Sequence, residues 1–217
     1  MDLPKLFPSA VVVVAADDAM WETPALAAEE TFIRNAVEKR QRGFRAGRAC
    51  AHQALARLGV TETAVPVGAR GAPVWPSGII GSISHCSDRC LAAVAHAGPL
   101  AGIGFDVERW GEVKTELGHL ICRPDERAWI AARGNDAQRW LALFFSAKES
   151  VYKCVYPILE EFIEFHDVRI VPDEQGQKFA VIFEHAGAKG LELARRIEGR
   201  FGFIGEHIYT SACLSAS

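Results

Sequence analysis

The stretch FFSAKESVYK, residues 144–153, places Lys148, Glu149 and Lys153 directly after two phenylalanines. Apolar residues recur at helical spacing on both sides of it, which predicts one long helix over residues 137–156. Glu149 and Lys153 are four residues apart, so they share one face of that helix. An acid between two bases in this position indicates that the helix contributes residues to a functional site as well as to the core.

Two simpler interpretations of the same stretch exist. Ser146 and Glu149 fit the Ser-x-x-Glu capping box, and Glu149 with Lys153 makes an ordinary ion pair across one helical turn. The capping box needs a helix that begins at Ser146, whereas the apolar recurrence already begins near Trp140. The capping box is therefore the weaker of the two alternatives.

The segment GIGFDVE, residues 102–108, supplies two more acids. In a strand, side chains two residues apart point to the same face, so Asp106 and Glu108 lie side by side. If Glu149 joins them, three hard oxygen ligands of the kind that Mg²⁺ takes converge, and the cation removes their mutual repulsion. Lys153 then brings a positive charge to the same place, suited to a phosphate.

Composition limits the class of protein. The chain has 217 residues, 49% of them hydrophobic and 24% charged, which is typical of a globular protein with one core or two small halves. The apolar run at residues 10–16 is too short for a membrane span and lacks a basic lead-in, so we expect a buried strand, no membrane association and a cytoplasmic protein with reduced cysteines. The net charge of −3 argues against a nucleic-acid partner.

Basic residues nevertheless concentrate between Arg34 and Arg57, a segment that contains seven basic residues and one acidic residue. The apolar pattern predicts a helix over residues 29–58, either continuous or in two parts joined near Gly43, with Gly59 as its cap. Arg40 and Arg48 then lie about 80° apart around the helix and can hold one anion from neighbouring rows. A solvated basic face is the alternative.

The following segments alternate loops and short apolar runs. Residues 68–78 read as a glycine- and proline-rich loop containing Arg70, and residues 79–85 and 90–96 read as a strand hairpin. Ser84 and His85 lie at the end of its first strand, where they could donate to a phosphate. There are simpler alternatives for both residues. His85 could make its hydrogen bonds within the core, and Arg70 could only keep its loop soluble.

The remaining pattern completes an α+β fold. Pro124 marks a helix start, Pro157 is predicted to end the long helix, and the last third reads as three strands, at residues 166–172, 178–185 and 203–214. This order predicts two similar α/β halves, at about residues 1–103 and 104–217, although no sequence repeat is visible.

Four stretches occur together in a distinctive order: EKRQRGFRAGRACAHQAL, GARGAPVWPSGIIGSISHC, GIGFDVE and FFSAKESVYK. As a set they resemble the 4′-phosphopantetheinyl transferases of the surfactin-activating class, and especially the branch that contains the enterobactin-synthase D component and the actinobacterial broad-range enzymes. The resemblance runs from about residue 38 to residue 170. The two ends of the chain match only in pattern.

The resemblance implies a pseudo-two-fold fold of two α/β halves with the active site in the cleft between them. It implies Mg²⁺-dependent transfer of the 4′-phosphopantetheine of coenzyme A to a serine of an apo acyl or peptidyl carrier protein, releasing adenosine 3′,5′-bisphosphate. Such an enzyme activates nonribosomal peptide, polyketide, siderophore or fatty-acid synthases. A pseudo-symmetric chain has little need of a second copy, so we expect a monomer.

The resemblance also assigns residues. Asp106, Glu108 and Glu149 correspond to the magnesium ligands, Lys153 to a lysine on the pyrophosphate, and Glu149 or a water that it orients is the expected base. The positions that correspond to coenzyme-binding residues are Arg40, Arg48, Arg70, Ser84, His85 and, less directly, Lys148.

The first motif departs from the family pattern. Many members of the branch have a glutamate and a bulky apolar residue where this chain has RGFR, with Gly43 and Arg45. The coenzyme contacts of this helix could therefore differ, with Arg45 adding to them or replacing one.

Two other functions remain open from the residues alone. A metal-dependent nuclease could use the same acids, and it would need a basic groove with salt-sensitive binding. A coenzyme- or nucleotide-binding regulator could use the arginine helix alone, and its binding would not need magnesium. The carrier that is modified is not specified by the sequence, although the variable segment between Trp110 and Pro124 is the expected contact.

Overall fold

The computed structural model describes residues 5–60, 64–184 and 188–216. The chain forms two compact units. The N-terminal unit contains Pro8–Gly98, and the C-terminal unit contains the described residues of 1–7 together with those from Pro99 onward. The halves at 1–103 and 104–217 stay a prediction.

The N-terminal unit is a three-stranded antiparallel sheet, in the order β1-β3-β2, with one long helix packed on it. Its core is formed by small and β-branched residues of the helix and sheet. The predicted hairpin is confirmed, since Ile79 pairs with His96 and His85 with Cys90. The elements are β1 (Val12–Ala15), α1 (Ala27–Glu30), α2 (Glu38–Arg57), β2 (Ile79–His85) and β3 (Cys90–His96).

The predicted helix over residues 29–58 is two helices, but their junction is not near Gly43. After α1 the chain forms turns, and α2 begins only at Glu38, directly after Val37, whose backbone is extended. The side chain of Gln41 donates to the carbonyls of Ile33 and Ala36, at 3.2 and 2.9 Å, and so satisfies groups that a continuous helix would have paired. At the other end, Gly59 has a left-handed φ of +79°, as predicted for the cap.

The C-terminal unit is a five-stranded antiparallel sheet, in the order β4-β8-β7-β6-β5, covered by a long helix on β4 and β8. Edge-to-face contacts of Trp140 with Trp129, Phe201 and Phe203 dominate one end of its core. The elements are β4 (Leu100–Arg109), α3 (Gly118–Ile121), α4 (Pro124–Ala131), α5 (Ala137–Leu159), β5 (Val168–Asp173), β6 (Lys178–Phe183), α6 (Ala188–Arg196), β7 (Ile197–Ile204) and β8 (His207–Ser215).

Two predictions for this unit were wrong. Pro157 does not end α5, because it lies in the last turn, where the amide of Glu160 still donates to Tyr156 and closes the helix two residues later. The predicted strand over residues 203–214 is a hairpin that turns at Gly205, whose φ is +56°. The helix α6 was not predicted. The α+β class itself is confirmed.

Among the described helices, none combines the length and the apolarity that crossing a bilayer requires.

Candidate functional site

The carboxylate cluster is positioned by an unusually close approach of α5 to β4. A Cβ atom on Gly104 would collide with the carbonyl oxygen of Ser150, and one on Gly102 would lie 2.5 Å from the carbonyl oxygen of Cys154. These two glycines therefore allow the helix backbone to lie directly on the strand. The approach brings the end of β4, with its two acids, beneath the helical turn that carries Glu149 and Lys153.

Lys153 and Asp106 form an ion pair at the centre of this cluster. Lys153 Nζ donates to Asp106 Oδ1 at 2.6 Å, and Asp106 is 2% exposed. Burial alone would lower the pKa of Lys153, but attraction to Asp106 and Glu149 raises it overall. The lysine therefore remains a cation, although it is partly removed from water between α5 and β4.

The other two acids share an electrostatic environment with this pair. Desolvation, followed by repulsion from Asp106, raises the pKa of Glu108 to about 8. Desolvation also raises the pKa of Glu149, with repulsion from Asp106 adding to the shift and Lys153 opposing it. The three carboxylates predicted from sequence thus interact across β4 and α5.

The donor set of this cluster fits a divalent cation of the magnesium type. It consists of carboxylate oxygens, the hard ligands that Mg²⁺ prefers, and the carboxylates destabilise one another's charged forms. A bound cation would reverse this penalty, because it favours the ionised form of each acid. Asp106, Glu108 and Glu149 are the residues that could hold it.

An apolar pocket of about 110 Å³ lies beside Glu149 in the same unit. Its walls come from α5 and from the segment that leads into β5, and it is mainly lined by aromatic and aliphatic side chains. The residues that line it are Lys148, Glu149, Tyr152, Phe162, Ile163, Glu164, Phe165 and Val168.

Lys148, the other lysine of the motif, is buried within the C-terminal unit. Its Nζ donates to the carbonyl of Ile121 at 2.9 Å, to Glu126 Oε2 at 2.6 Å and to the carbonyl of Phe165 at 2.8 Å. Its three protons are therefore used inside the chain. A contact with the coenzyme, as predicted, would require at least one of these bonds to break.

The N-terminal unit contains a separate cluster of positive charge on α2. Arg48 is 5% exposed, stacks on Phe44 at 4.3 Å, and has a buried Nε that donates no hydrogen bond within the described chain. Desolvation lowers the pKa of Arg48 to about 10; attraction to Glu29 opposes this shift, and repulsion from Arg40 adds to it. Arg40 itself is exposed. Two cations close enough to repel each other are typical of an anion site.

Glu29 is an acid that the sequence did not single out. It is fully buried, and its Oε1 accepts from the amide of Val65 at 2.7 Å, contacts His52 Nε2 at 2.9 Å and lies 4.0 Å from Arg48 Nε. Burial alone would raise the pKa of Glu29, but the bonds from His52 and Val65 lower it overall. The only sequence signal was an acidic pair, residues 29–30, before the arginine-rich helix.

The departure in the first motif has a structural explanation. A Cβ atom on Gly43 would lie 2.7 Å from the ring of His85, so only glycine lets this imidazole lie against α2. Arg45 makes two bonds to Glu30, at 2.8 and 2.9 Å, so its charge is engaged within the unit. His85, on β2, is thereby placed next to the helix that carries Arg40 and Arg48.

The remaining coenzyme candidates differ in exposure. Ser84 is 6% exposed on β2, whereas Arg70 is exposed in its loop with a left-handed backbone, at a φ of 53°. The structure therefore brings the acids and Lys153 together in one unit and places Arg40, Arg48 and His85 along α2 in the other. The roles of all these residues stay predictions.

Two family models match this chain. The 4′-phosphopantetheinyl transferase N-terminal domain matches residues 28–95, and the 4′-phosphopantetheinyl transferase superfamily matches residues 102–199. Both carry the same family name and together they span most of the sequence. The chain belongs to the 4′-phosphopantetheinyl transferase superfamily, as its motifs predicted.

Named relatives agree with this assignment. The chain is 38% identical to the 4′-phosphopantetheinyl transferase Svp of Streptomyces mobaraensis over 70% of this chain and 62% of the relative. It is 38% identical to Npt of Nocardia iowensis over 66% and 64% of the two chains, and 40% identical to enterobactin synthase component D of Salmonella typhi over 56% and 50%. The matched region thus spans less than two thirds of each of these relatives.

A solved structure, the holo-[acyl-carrier-protein] synthase of Neisseria meningitidis, matches 54% of this chain and 99% of its own, with 20% identity and a TM-score of 0.45.

Proposed function

We propose that this protein transfers the 4′-phosphopantetheine group of coenzyme A to a serine hydroxyl of an apo carrier protein. The observation that carries the proposal is the cluster of Asp106, Glu108 and Glu149 around the ammonium of Lys153. Membership of the superfamily supports the reaction class. In phosphoryl-type transfer, a metal cation and a fixed positive charge together stabilise the negative charge on the reacting phosphates.

In the proposed reaction, the serine oxygen forms a bond to the phosphorus that carries the pantetheine. The bond between that phosphorus and the bridging oxygen of the pyrophosphate breaks, and adenosine 3′,5′-bisphosphate leaves with the electron pair. The serine gives up its proton, because a neutral hydroxyl is a weak nucleophile. The protein must therefore accept one proton and stabilise negative charge on the leaving group.

Glu149 is the proposed proton acceptor, acting directly or through a water that it orients. A carboxylate can take this proton, and Glu149 lies in the same cluster as the lysine that would contact the pyrophosphate. Lys153 is the proposed partner of the pyrophosphate oxygens, because its pKa is raised and it keeps its charge at neutral pH. Asp106, Glu108 and Glu149 would hold Mg²⁺, which when bound supplies charge neutralisation on the pyrophosphate.

The arginine cluster is the proposed site for the phosphates of the coenzyme. Arg48 is buried, its Nε has no hydrogen-bond partner among the residues that the structure describes, and burial strengthens a charged hydrogen bond to an anion. Arg40, Arg70, Ser84 and His85 are proposed to take part in the same binding.

The apolar pocket beside Glu149 is the proposed site for the pantetheine arm. Its lining by Tyr152, Phe162 and Ile163 suits the methyl and methylene groups of that arm. In this assignment, the reacting phosphorus lies between the pocket and the carboxylate cluster.

The proposed partners are apo acyl or peptidyl carrier proteins, with carriers of siderophore or other nonribosomal peptide synthesis as the first to test. We further propose that the protein acts in the cytoplasm as a monomer. Neither nucleic acid nor a membrane enters the proposal.

Intact-mass spectrometry tests the reaction directly. Several purified apo carrier proteins are incubated with this protein, coenzyme A and magnesium, and a parallel sample contains a chelator. A gain of one phosphopantetheine group only in the presence of magnesium supports the proposal, and the pattern across carriers indicates the pathway. No gain on any carrier from fatty-acid, polyketide and peptide systems contradicts it.

Replacing Arg48 by glutamine is expected to raise the KM for coenzyme A by roughly 10- to 100-fold, because a charge-assisted hydrogen bond of about 1.5–3 kcal/mol is lost. Steady-state kinetics on the folded variant measure the change. The matched control is Arg57→Gln at the exposed end of α2, which should leave the KM unchanged. An unaltered KM in Arg48→Gln would remove this residue from the site.

The pKa of Glu108 predicts how the stability of the metal-free protein varies with pH. The folded protein keeps a proton on this carboxyl up to a pKa of about 8, whereas the unfolded chain loses it near the ordinary value of 4.5. Between these pH values the folded state binds more protons, so the free energy of unfolding falls as the pH rises. Glu108→Gln removes this loss.

Thermal melts with a chelator, from pH 5 to pH 9, measure the effect. The Tm of Glu108→Gln is expected to match the wild type near pH 5 and to exceed it increasingly towards pH 8. A Tm difference that does not vary with pH would contradict the raised pKa.

A further inference from the structure

A buried polar network surrounds Lys148, the first lysine of the stretch FFSAKESVYK. Lys148 is 2% exposed, and Glu126, which accepts its bond of 2.6 Å, is 3% exposed. Burial lowers the pKa of Lys148, while the charge of Glu126 opposes this shift. The two residues form an ion pair that is almost completely removed from water.

Each member of this pair also binds backbone groups that lie outside α5. Lys148 donates to the carbonyls of Ile121 and Phe165, while Glu126 accepts from the amides of Arg123 and Ile170, both donors from outside α5. The Arg123 bond closes the start of α4, and the Ile170 bond holds β5. One ion pair therefore fastens α3, α4 and the segment entering β5 to α5.

The same segment forms one wall of the apolar pocket. Ile163, Phe165 and Val168 line the pocket opposite α5, which contributes Glu149 and Tyr152. The bond from Lys148 Nζ to the Phe165 carbonyl, at 2.8 Å, is a direct tie between the two walls. Lys148 is adjacent in sequence to Glu149, so the tie is made one residue from the proposed proton acceptor.

We infer that Lys148 is a positioning residue that fixes the wall formed by residues 162–168 against α5, and thereby sets the affinity of the pocket for the pantetheine arm. It acts through Glu126 and the Phe165 carbonyl and does not contact the phosphates of the coenzyme. This inference rests on the proposed function.

Charge balance favours this role over a phosphate contact. An ammonium has three protons, and all three are engaged with acceptors inside the unit. Turning Lys148 towards a phosphate would leave the buried carboxylate of Glu126 without its cation, which is strongly unfavourable. Lys153 also pairs with a buried carboxylate, that of Asp106, but a divalent cation held there would replace the charge of the lysine.

The test uses a single and a double variant. Lys148→Met removes the ammonium and leaves Glu126 charged and buried, so the Tm is expected to fall sharply. Lys148→Met/Glu126→Gln removes both charges and is expected to recover much of the Tm. Lys178→Met is the control, since that lysine is half exposed and pairs with Glu198 in the same unit.

Two ligands separate positioning from direct contact. Coenzyme A carries the pantetheine arm, and adenosine 3′-phosphate 5′-diphosphate carries its phosphates without the arm. In the folded double variant, the KM for coenzyme A is expected to rise roughly tenfold, the size of one lost charged hydrogen bond, while the Kd for the nucleotide changes less than about twofold.

Two outcomes would overturn the inference. An equal loss of affinity for both ligands would make Lys148 a phosphate ligand, and unchanged constants for both would leave it a purely structural residue. Failure of the proposed function is distinguishable. The wild-type protein would then transfer no phosphopantetheine, and a KM for coenzyme A could be measured for neither the wild type nor the variant.

Discussion

Replacing Glu149 by glutamine is expected to abolish magnesium-dependent transfer while leaving the fold intact. The amide can neither hold a divalent cation strongly nor accept a proton, so the rate should fall roughly a thousandfold or more, equivalent to several kcal/mol of transition-state stabilisation. The fold should tolerate the change. Desolvation disfavours the ionised carboxylate, and attraction to Lys153 only partly offsets it, so the neutral amide should cost the metal-free fold little.

Carrier modification by mass spectrometry and thermal melts measure the two effects together. The expected Tm of Glu149→Gln without magnesium equals or exceeds that of the wild type. Glu161→Gln is the matched control, because this glutamate is exposed just beyond α5. Near-normal turnover in Glu149→Gln would remove Glu149 from both proposed roles.

Replacing Gly104 by alanine is expected to be the most disruptive single methyl addition in β4. The new Cβ would overlap the carbonyl oxygen of Ser150, a backbone atom of α5 that cannot rotate away. We expect a loss of about 3 kcal/mol in the free energy of unfolding, and hence a Tm lower by roughly 6–12 °C. The displaced helix should also cost about a hundredfold in turnover, because Lys153 and Glu149 move relative to Asp106.

Gly111→Ala is the control for this change. A Cβ there would meet no atom within 4 Å, so its Tm and turnover should match the wild type. Thermal melts of the two variants side by side separate a general glycine-to-alanine effect from the overlap with α5. Equal Tm values for both variants would show that the helix does not depend on this close approach.

The carboxylate cluster was accessible from the sequence for a local reason. The alternation of β4 placed Asp106 and Glu108 on one face, and the helical period placed Glu149 and Lys153 on another. Both patterns depend only on neighbouring residues. That the two faces meet depends on Gly104, whose significance lies in a contact with Ser150 that is distant in the chain.

The two lysines of the motif show the limit of such reasoning. Lys148 and Lys153 are the same residue type in the same helix, and the sequence assigned both to the coenzyme. In the structure, Lys148 points to a buried glutamate and Lys153 to the acids of β4. Their environments differ because Glu126 and Asp106 come from separate elements, which helical spacing cannot specify.

The arginine helix shows the same division. The excess of basic residues indicated an anion site, but their number did not distinguish Arg45 from Arg48. Arg45 is hydrogen-bonded to Glu30, whereas the buried Nε of Arg48 lies 4.0 Å from Glu29 and has no hydrogen bond within the described part of the chain. Sequence also missed the break before α2, because the apolar period continues across residues 31–37, where the side chain of Gln41 replaces backbone pairing.

By itself, the sequence determined the α+β class, the strand hairpin, the main helices and the family, because these follow from periodicity and from motifs whose members are close together. The tertiary structure decided which charges are buried beside a partner and which gather in clusters. That outcome depends on contacts between residues far apart in the chain, such as Lys148 with Glu126 and Arg48 with Glu29, where desolvation and partner geometry set the energy.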